Sequence, residues 1–447
     1  MKVASGTLPR GAEYLVEAPP RWNGTVFLYS HGRVDSRGAP NTPSPHLRDW
    51  LLAEGSAVAG SCYRPEAGVR FWQLEEAFED QPALLDEVGS VLGTTPEVVV
   101  AWGHSIGGLI SAGLVHTMGD RLAGAVPLCA PLAGGVATLN TELDCAFVFN
   151  TLVAGEAPLE LVNIERPERN LERALTILRE AQATSIGRAR IALAAAVTNT
   201  GAWADPASAA PPGSDFSALQ RNHFRWFADV GFTVYFWARA QVEQRAGGNP
   251  SWNTGVDYSE LLTRSVYRAE VEALYAEAGA SLDADLATLA EAGRIAADTE
   301  AVHYLTRHIA FDGKIDLPVV VVHGIGDGLC GTNHTRAYRD AVLKAGRGHD
   351  LLQLYVRRGG HCAFTVEETV VALRILLDRI RRGAWRDDIE FETPTDVTAT
   401  TGSECCESTG YGLPSSGSSD APAFTHHEPP EFLRPFDLAG ASEPGTG

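Results

Sequence analysis

Residues 98–108 read Val-Val-Val-Ala-Trp-Gly-His-Ser-Ile-Gly-Gly. A β-branched apolar run ends in Gly-x-Ser-x-Gly, and a small-residue apolar stretch (109–115) follows. The pattern predicts a buried strand, a sharp turn and a helix. So tight a turn holds Ser105 in strained backbone geometry with its hydroxyl exposed. Glycine is required at 103 and 107, because a side chain two positions either side of Ser105 would collide across the turn. The helix that starts after Ser105 aims its N-terminus at the hydroxyl, where developing negative charge is favoured.

A serine needs a base to become a nucleophile, and the base needs an orienting group. Both follow downstream. Residues 317–324 (Leu-Pro-Val-Val-Val-Val-His-Gly) predict a fully buried strand, with Asp327 in a Gly-Asp-Gly loop just past its end. An α/β sheet places its functional groups at the carboxyl ends of its strands. Residues 351–356 predict the next strand, which runs into Gly359-Gly360-His361-Cys362. Ser105, Asp327 and His361 are thus the candidate nucleophile, acid and base. Asp144 is the alternative acid, and His323, His334 and His349 are weaker alternatives to His361. Upstream, residues 24–32 form a strand ending in His31-Gly32. An attacked carbonyl develops an oxyanion that needs preorganised N–H donors. Ile106 supplies one, and the loop after Gly32, at Arg33, supplies the other. His31 and Gly32 support that loop.

On His31-Gly32, Gly103-His104-Ser105-Ile106-Gly107-Gly108, Asp327 and His361, the chain resembles the α/β-hydrolase superfamily of the serine esterase and lipase kind. The resemblance spans roughly residues 24–382 and contains a large insertion. It implies a mostly parallel, doubly wound sheet with helices on both faces and a helical cap inserted before the acid-bearing strand. It implies a Ser-His-Asp triad without fixing the substrate.

Seven cysteines are present, and none forms a Cys-x-x-Cys pair. Cys330 lies three residues after Asp327, and Cys362 directly follows His361. If Asp327 and His361 meet, Cys330 and Cys362 sit on neighbouring loops, either bridged or as two free thiols. Tannases and fungal-type feruloyl esterases also carry a cysteine next to the catalytic histidine. The likeness is loose, since His104 rather than a cysteine precedes the serine.

The organisation follows from this pattern. Residues 1–131 and 313–386 are expected to form the catalytic α/β domain, with helices over 72–92 and 366–382 and strands near 12–19, 57–63 and 124–129. Residues 132–312 are expected to form the helical cap, far longer than an ordinary crossover. Its aromatic residues Phe224, Trp226, Phe232, Tyr235, Phe236 and Trp237 either wall a substrate pocket or fill the cap's own core. Residues 387–447 carry twelve acids and one basic side chain, Arg434, and read as an acidic, largely irregular tail. Its exception is 431–436, apolar enough to dock on the body.

A net charge of −20 disfavours nucleic acid and anionic membranes as partners. No apolar run is long enough to span a bilayer. The N-terminus has no signal-peptide core, so the expectation is a cytoplasmic protein, or a secreted one whose leader has been removed. The chemistry requires no cofactor and no metal. The residues point to a carboxylic ester hydrolase acting on a small-molecule acyl or aryl ester. A peptidase, amidase or thioesterase on the same triad is the alternative within hydrolases, and a non-catalytic binding protein is the alternative outside them.

Overall fold

Largely apolar runs make strands that are buried on both faces, as parallel sheets require. Four such runs form the middle of the sheet: β3 (Thr25–Ser30), β5 (Val98–His104), β6 (Gly124–Leu128) and β7 (Val319–Gly326). The computed structural model describes residues 1–32, 42–63, 71–155, 158–386 and 422–437. With β1 (Lys2–Thr7), β2 (Glu13–Ala18), β4 (Ala57–Ser61), β8 (Leu351–Gly359) and β9 (Phe424–Thr425), the sheet has nine strands in the order β1-β2-β4-β3-β5-β6-β7-β8-β9. β4, β3, β5, β6 and β7 pair in parallel. β1 and β2 pair antiparallel with each other, β2 antiparallel with β4, and β9 antiparallel with β8. The fold is α/β, a mostly parallel sheet with flanking helices.

The strands expected from sequence lie within one or two residues of their predicted starts, and β8 runs three residues further than expected. The helices fall at Leu74–Leu92 and Val366–Arg382. The second starts at a capping box in which Thr365 and Glu368 satisfy each other's backbone N–H groups. β1 and β9 were not anticipated. β1 alternates exposed and half-buried residues with no apolar face to betray it, and β9 has two residues.

The chain divides into two compact units. The first comprises Met1–Leu132, Phe311–Ile325 and Tyr338–His427. Its core, built on the sheet, includes Phe27, Val100, Trp102, Val126, Val320, Val322 and Leu376. The second comprises Ala133–Ala310, Gly326–Ala337 and Glu428–Gly447. It is helical, from Gly135–Val153 through Ser185–Ala196 to Thr299–His308. Between the helices Phe216–Trp226 and Arg239–Ala246 lie two π-helical turns, Phe227–Gly231 and Val234–Ala238. Two short segments join this unit that the sequence reading had placed elsewhere: the loop after β7, with Asp327, and the end of the chain. Residues 387–421 and 438–447 of the expected irregular tail lie outside the described residues. Among the described residues no helix is long and apolar enough to cross a membrane.

Candidate active site

Ser105 sits between the end of β5 and the helix Ile106–Thr117. Its φ of 56° and ψ of −124° place it in the strained left-handed half of conformational space. Backbone bonds hold it there: its N–H donates to the Leu128 carbonyl at 2.9 Å, and its carbonyl accepts from Leu109 N–H at 3.0 Å. The glycine requirement is visible, with a sharper cause than the turn alone. A Cβ at Gly103 or Gly107 would stand 2.1 Å or 2.0 Å from the Ser30 carbonyl oxygen, at the end of the adjacent β3. The turn is squeezed against its neighbouring strand, and only glycine fits.

His361 follows β8 by two residues and is buried. Its Nε2 lies 2.9 Å from Ser105 Oγ, hydrogen-bond distance for a base and a nucleophile. Gly360, at φ 82°, and Cys362, at φ 56°, bend the chain on both sides of it. The sequence-predicted nucleophile and base therefore meet within the first unit.

Ile106 is the first residue of its helix, so its N–H has no acceptor within the helix and faces the same end as Ser105. Gly32 approaches closely: a Cβ there would lie 2.9 Å from the His104 carbonyl and 3.4 Å from Ser105 Cβ. His31 is buried and stacks on Tyr63, ring centroids 4.0 Å apart. Burial pushes its pKa down to about 4, only partly offset by backbone hydrogen bonds at Gly32 and Cys62, so the ring is neutral at neutral pH. Arg33 lies outside the described residues.

Asp327 is the first residue after β7, the strand next to β8 in the sheet. It is buried, and its Oδ1 accepts the N–H groups of Leu329 and Cys330 at 2.9 and 3.0 Å. The alternative acid, Asp144, is engaged within the second unit. Its Oδ1 accepts from the Tyr258 hydroxyl at 3.0 Å, and its Oδ2 pairs with Arg434 at 2.7 Å. Burial lifts Asp144 to about 6, with Arg434 opposing. The alternative bases are also placed elsewhere. His323 is buried within β7, His334 rests against Phe432, and His349 pairs with Asp350.

The expected Cys330–Cys362 bridge is corrected. Cys362 is bonded to Cys129, with Cα atoms 5.4 Å apart, and Cys330 is a buried thiol that takes no part in the bridge. Cys129 is the residue after β6, held at φ 44°, and its N–H donates to the Val322 carbonyl of β7. The bridge thus ties the end of β6 to the loop that carries His361, and Cys362 has no valence left for Cys330. Burial pushes the Cys330 thiol well above its ordinary value, with the Asp327 and Glu142 carboxylates adding to the shift. Sequence reasoning missed Cys129, which lies 233 residues from its partner at the end of the strand beside β7.

Because Cys362 adjoins His361, losing the bridge is expected to loosen the base as well as the fold. Cys129→Ser should lower stability by about 2–5 kcal/mol, since the closed loop is long, and activity should fall with it. The check is thermal unfolding and turnover with and without a thiol reductant. Wild type should respond to reductant, and Cys129→Ser should not.

Four of the six aromatic residues named from sequence, Trp226, Phe232, Tyr235 and Phe236, are buried in the second unit's own packing. Phe232 meets Phe149, Phe227 and Phe236 at centroid distances of 4.7, 5.3 and 5.0 Å. Phe224 and Trp237 are half-buried, and Trp237 donates its indole N–H to Glu168.

A strand-end serine at positive φ, a histidine at its hydroxyl after the penultimate strand, and this strand order are the arrangement of the α/β-hydrolase fold. Among curated proteins, the chain is 27% identical over 412 residues to an o-phthalyl amidase from Xanthobacter agilis, covering 85% of this chain and 87% of that one. Among solved structures it is similar to feruloyl esterase B from Aspergillus oryzae, at 12% identity and TM-score 0.43, covering 86% of this chain and 81% of that one. It is also similar to a tannin acyl hydrolase from Aspergillus niger, at 14% identity and TM-score 0.41, covering 84% and 76%. No family model matches the chain.

Proposed function

We propose that this chain is a serine hydrolase that cleaves carboxylic esters through an acyl-enzyme on Ser105. The observation that carries the reading is the 2.9 Å approach of His361 Nε2 to Ser105 Oγ at a positive-φ strand end. A serine is held in that geometry at a cost in backbone strain of about 1–3 kcal/mol. His361 takes the hydroxyl proton as Oγ attacks the ester carbonyl. The Ile106 N–H and a donor from the loop after Gly32, at Arg33, receive the charge on the tetrahedral oxyanion. His361 then passes its proton to the departing alcohol. Water, deprotonated by His361, attacks the acyl-enzyme and releases the acid and free Ser105. Asp327 orients His361 and supports its charged form. Its place at the end of β7, next to β8, supports that role. Choice of acyl and alcohol groups is assigned to the helical insertion over 132–312, with Phe224 and Trp237 the two named aromatics that keep exposed surface.

A second reading is amide cleavage, favoured by the 27% likeness to an o-phthalyl amidase. The same residues serve it, with His361 protonating a departing amine instead of an alcohol. Labelling by a fluorophosphonate probe, mapped by peptide mass, tests the shared mechanism. Ser105 should be the labelled residue. A panel of nitrophenyl esters of graded chain length, aryl esters, phthalyl amides and aminoacyl anilides then separates the readings by kcat/KM. Higher kcat/KM on esters supports the first reading, and higher kcat/KM on amides replaces it with the second. An unlabelled Ser105 with no turnover of any substrate overturns both in favour of a binding protein.

A further inference from the structure

The last 61 residues of the chain hold one lysine or arginine, Arg434. That residue is inserted into the second unit. Its Nη1 donates to Asp144 Oδ2 at 2.7 Å, its Nη2 to the Trp252 carbonyl at 3.0 Å, and its guanidinium lies 5.9 Å from the Trp252 ring centre. Asp144 is 1% exposed, so the pair is desolvated on the acid side. Around this anchor, Phe432 and Leu433 are buried, Phe436 packs on Trp252, and Glu431 pairs with Arg264. A short segment of an acidic tail is therefore pinned by its single cation.

What the segment touches gives it a role. The segment 326–337, which is the loop carrying Asp327 and the first turn of the helix Asn333–Lys344, belongs to the same unit. Glu428 accepts from Arg336 of that helix at 2.7 Å, and Phe432 lies edge-on to His334 in its first turn, centroids 4.9 Å apart. Asn199, at φ 52°, connects the two from the other side. Its Nδ2 donates to the Glu431 carbonyl, while Asn333, the first residue of the helix, donates to the neighbouring Thr198 carbonyl. The Asp327 end of the loop is seated by close backbone approach. A Cβ at Gly201 would stand 2.2 Å from the Asp327 carbonyl, and one at Gly328 would stand 2.4 Å from the Trp226 ring nitrogen. The loop is gripped near Asp327 by the body of the unit, and the helix turn that ends it is held at 334 and 336 by the C-terminal segment.

We propose that residues 428–436 are a brace that positions the Asp327 loop, with Arg434 as its anchor and Glu428 and Phe432 as its contacts. The proposal rests on the reading of Asp327 as the acid. Arg434 is a positioning residue: it acts on the reaction through the loop and not on the substrate.

A double-mutant cycle on the full chain tests this. Arg434→Ala and Asp327→Asn are compared singly and together, by kcat, KM and the pH dependence of kcat, with thermal unfolding as the control for folding. Arg434→Ala should lower kcat on the order of tenfold with little change in KM. Its low-pH limb should move in the direction seen for Asp327→Asn, because both withdraw support from charged His361. The combined variant should be no slower than Asp327→Asn alone, since the brace then has no acid to position. Arg434→Lys, which keeps the ion pair, should recover part of the loss. If Arg434→Ala does not fold, Glu428→Gln and Phe432→Ala take its place in the cycle. Unchanged kcat in folded brace variants overturns the proposal, and so do losses that multiply with that of Asp327→Asn. A mild effect of Asp327→Asn alone removes the premise instead, and the proposal falls with the acid assignment.

Discussion

Ser105→Ala leaves the protein folded and lowers kcat/KM on the order of 10³-fold or more, and His361→Ala does the same. The fold survives because the structural bonds at position 105 are made by backbone. The N–H to Leu128 and the carbonyl from Leu109 persist in alanine, and the φ of 56° costs alanine what it costs serine. What disappears is the Oγ that lies 2.9 Å from His361 Nε2. His361→Ala removes the other half of the same contact. Nucleophile and base act as a unit, so the double variant should be about as slow as either single one. Steady-state turnover of the best ester or amide, with circular dichroism and thermal unfolding as controls, makes the measurement. More than a tenth of wild-type turnover in folded Ser105→Ala would remove the serine from the mechanism.

The meeting of Ser105 and His361 was legible because both lie at strand ends. The run at 98–102 is apolar and buried from Val99 onward, and the glycines at 103 and 107 mark the turn in the chain itself. His361 is marked in the same way, by the glycines at 359 and 360 after the strand. Local sequence specifies local backbone in each case, and the parallel sheet brings the ends of β5 and β8 to one edge.

What was not legible depends on pairing across long separations. Cys129 and Cys362 are 233 residues apart, and no local pattern at either predicts the other. The argument for Cys330 used proximity along the chain to Asp327, and it failed because the base loop was tied to the end of β6 instead. The aromatic run at 224–237 has the composition of a pocket and of a core alike. Four of its six named members lie in the second unit's own packing, a distinction that burial makes and composition does not. The docking of 431–436 was visible as an apolar break in a polar tail. The partner of Arg434 was not, because Asp144 read as a candidate acid at the end of its own stretch of chain.

That competition between two aspartates sets the remaining expected result. Asp327→Asn should cost on the order of 10⁴-fold in kcat, because an amide in place of the carboxylate leaves the imidazole in the wrong tautomer. The loop itself should tolerate the change. Asp327 Oδ1 accepts the N–H groups of Leu329 and Cys330, and the amide oxygen of asparagine accepts them equally well. The loss should therefore appear in chemistry and not in thermal stability. Asp144→Asn behaves differently on both counts. Asp144 faces Arg434 and the Tyr258 hydroxyl, so an amide there weakens a desolvated ion pair and loosens the C-terminal segment. It should lower the unfolding temperature and reduce kcat on the order of tenfold, the cost proposed for releasing the brace. The two variants are to be compared on one substrate, across the pH range in which wild type is folded. A crippled Asp144→Asn beside a mild Asp327→Asn would move the acid from the end of β7 to the helix Gly135–Val153. The opposite result leaves Asp144 with a single task, to hold the one cation of the tail.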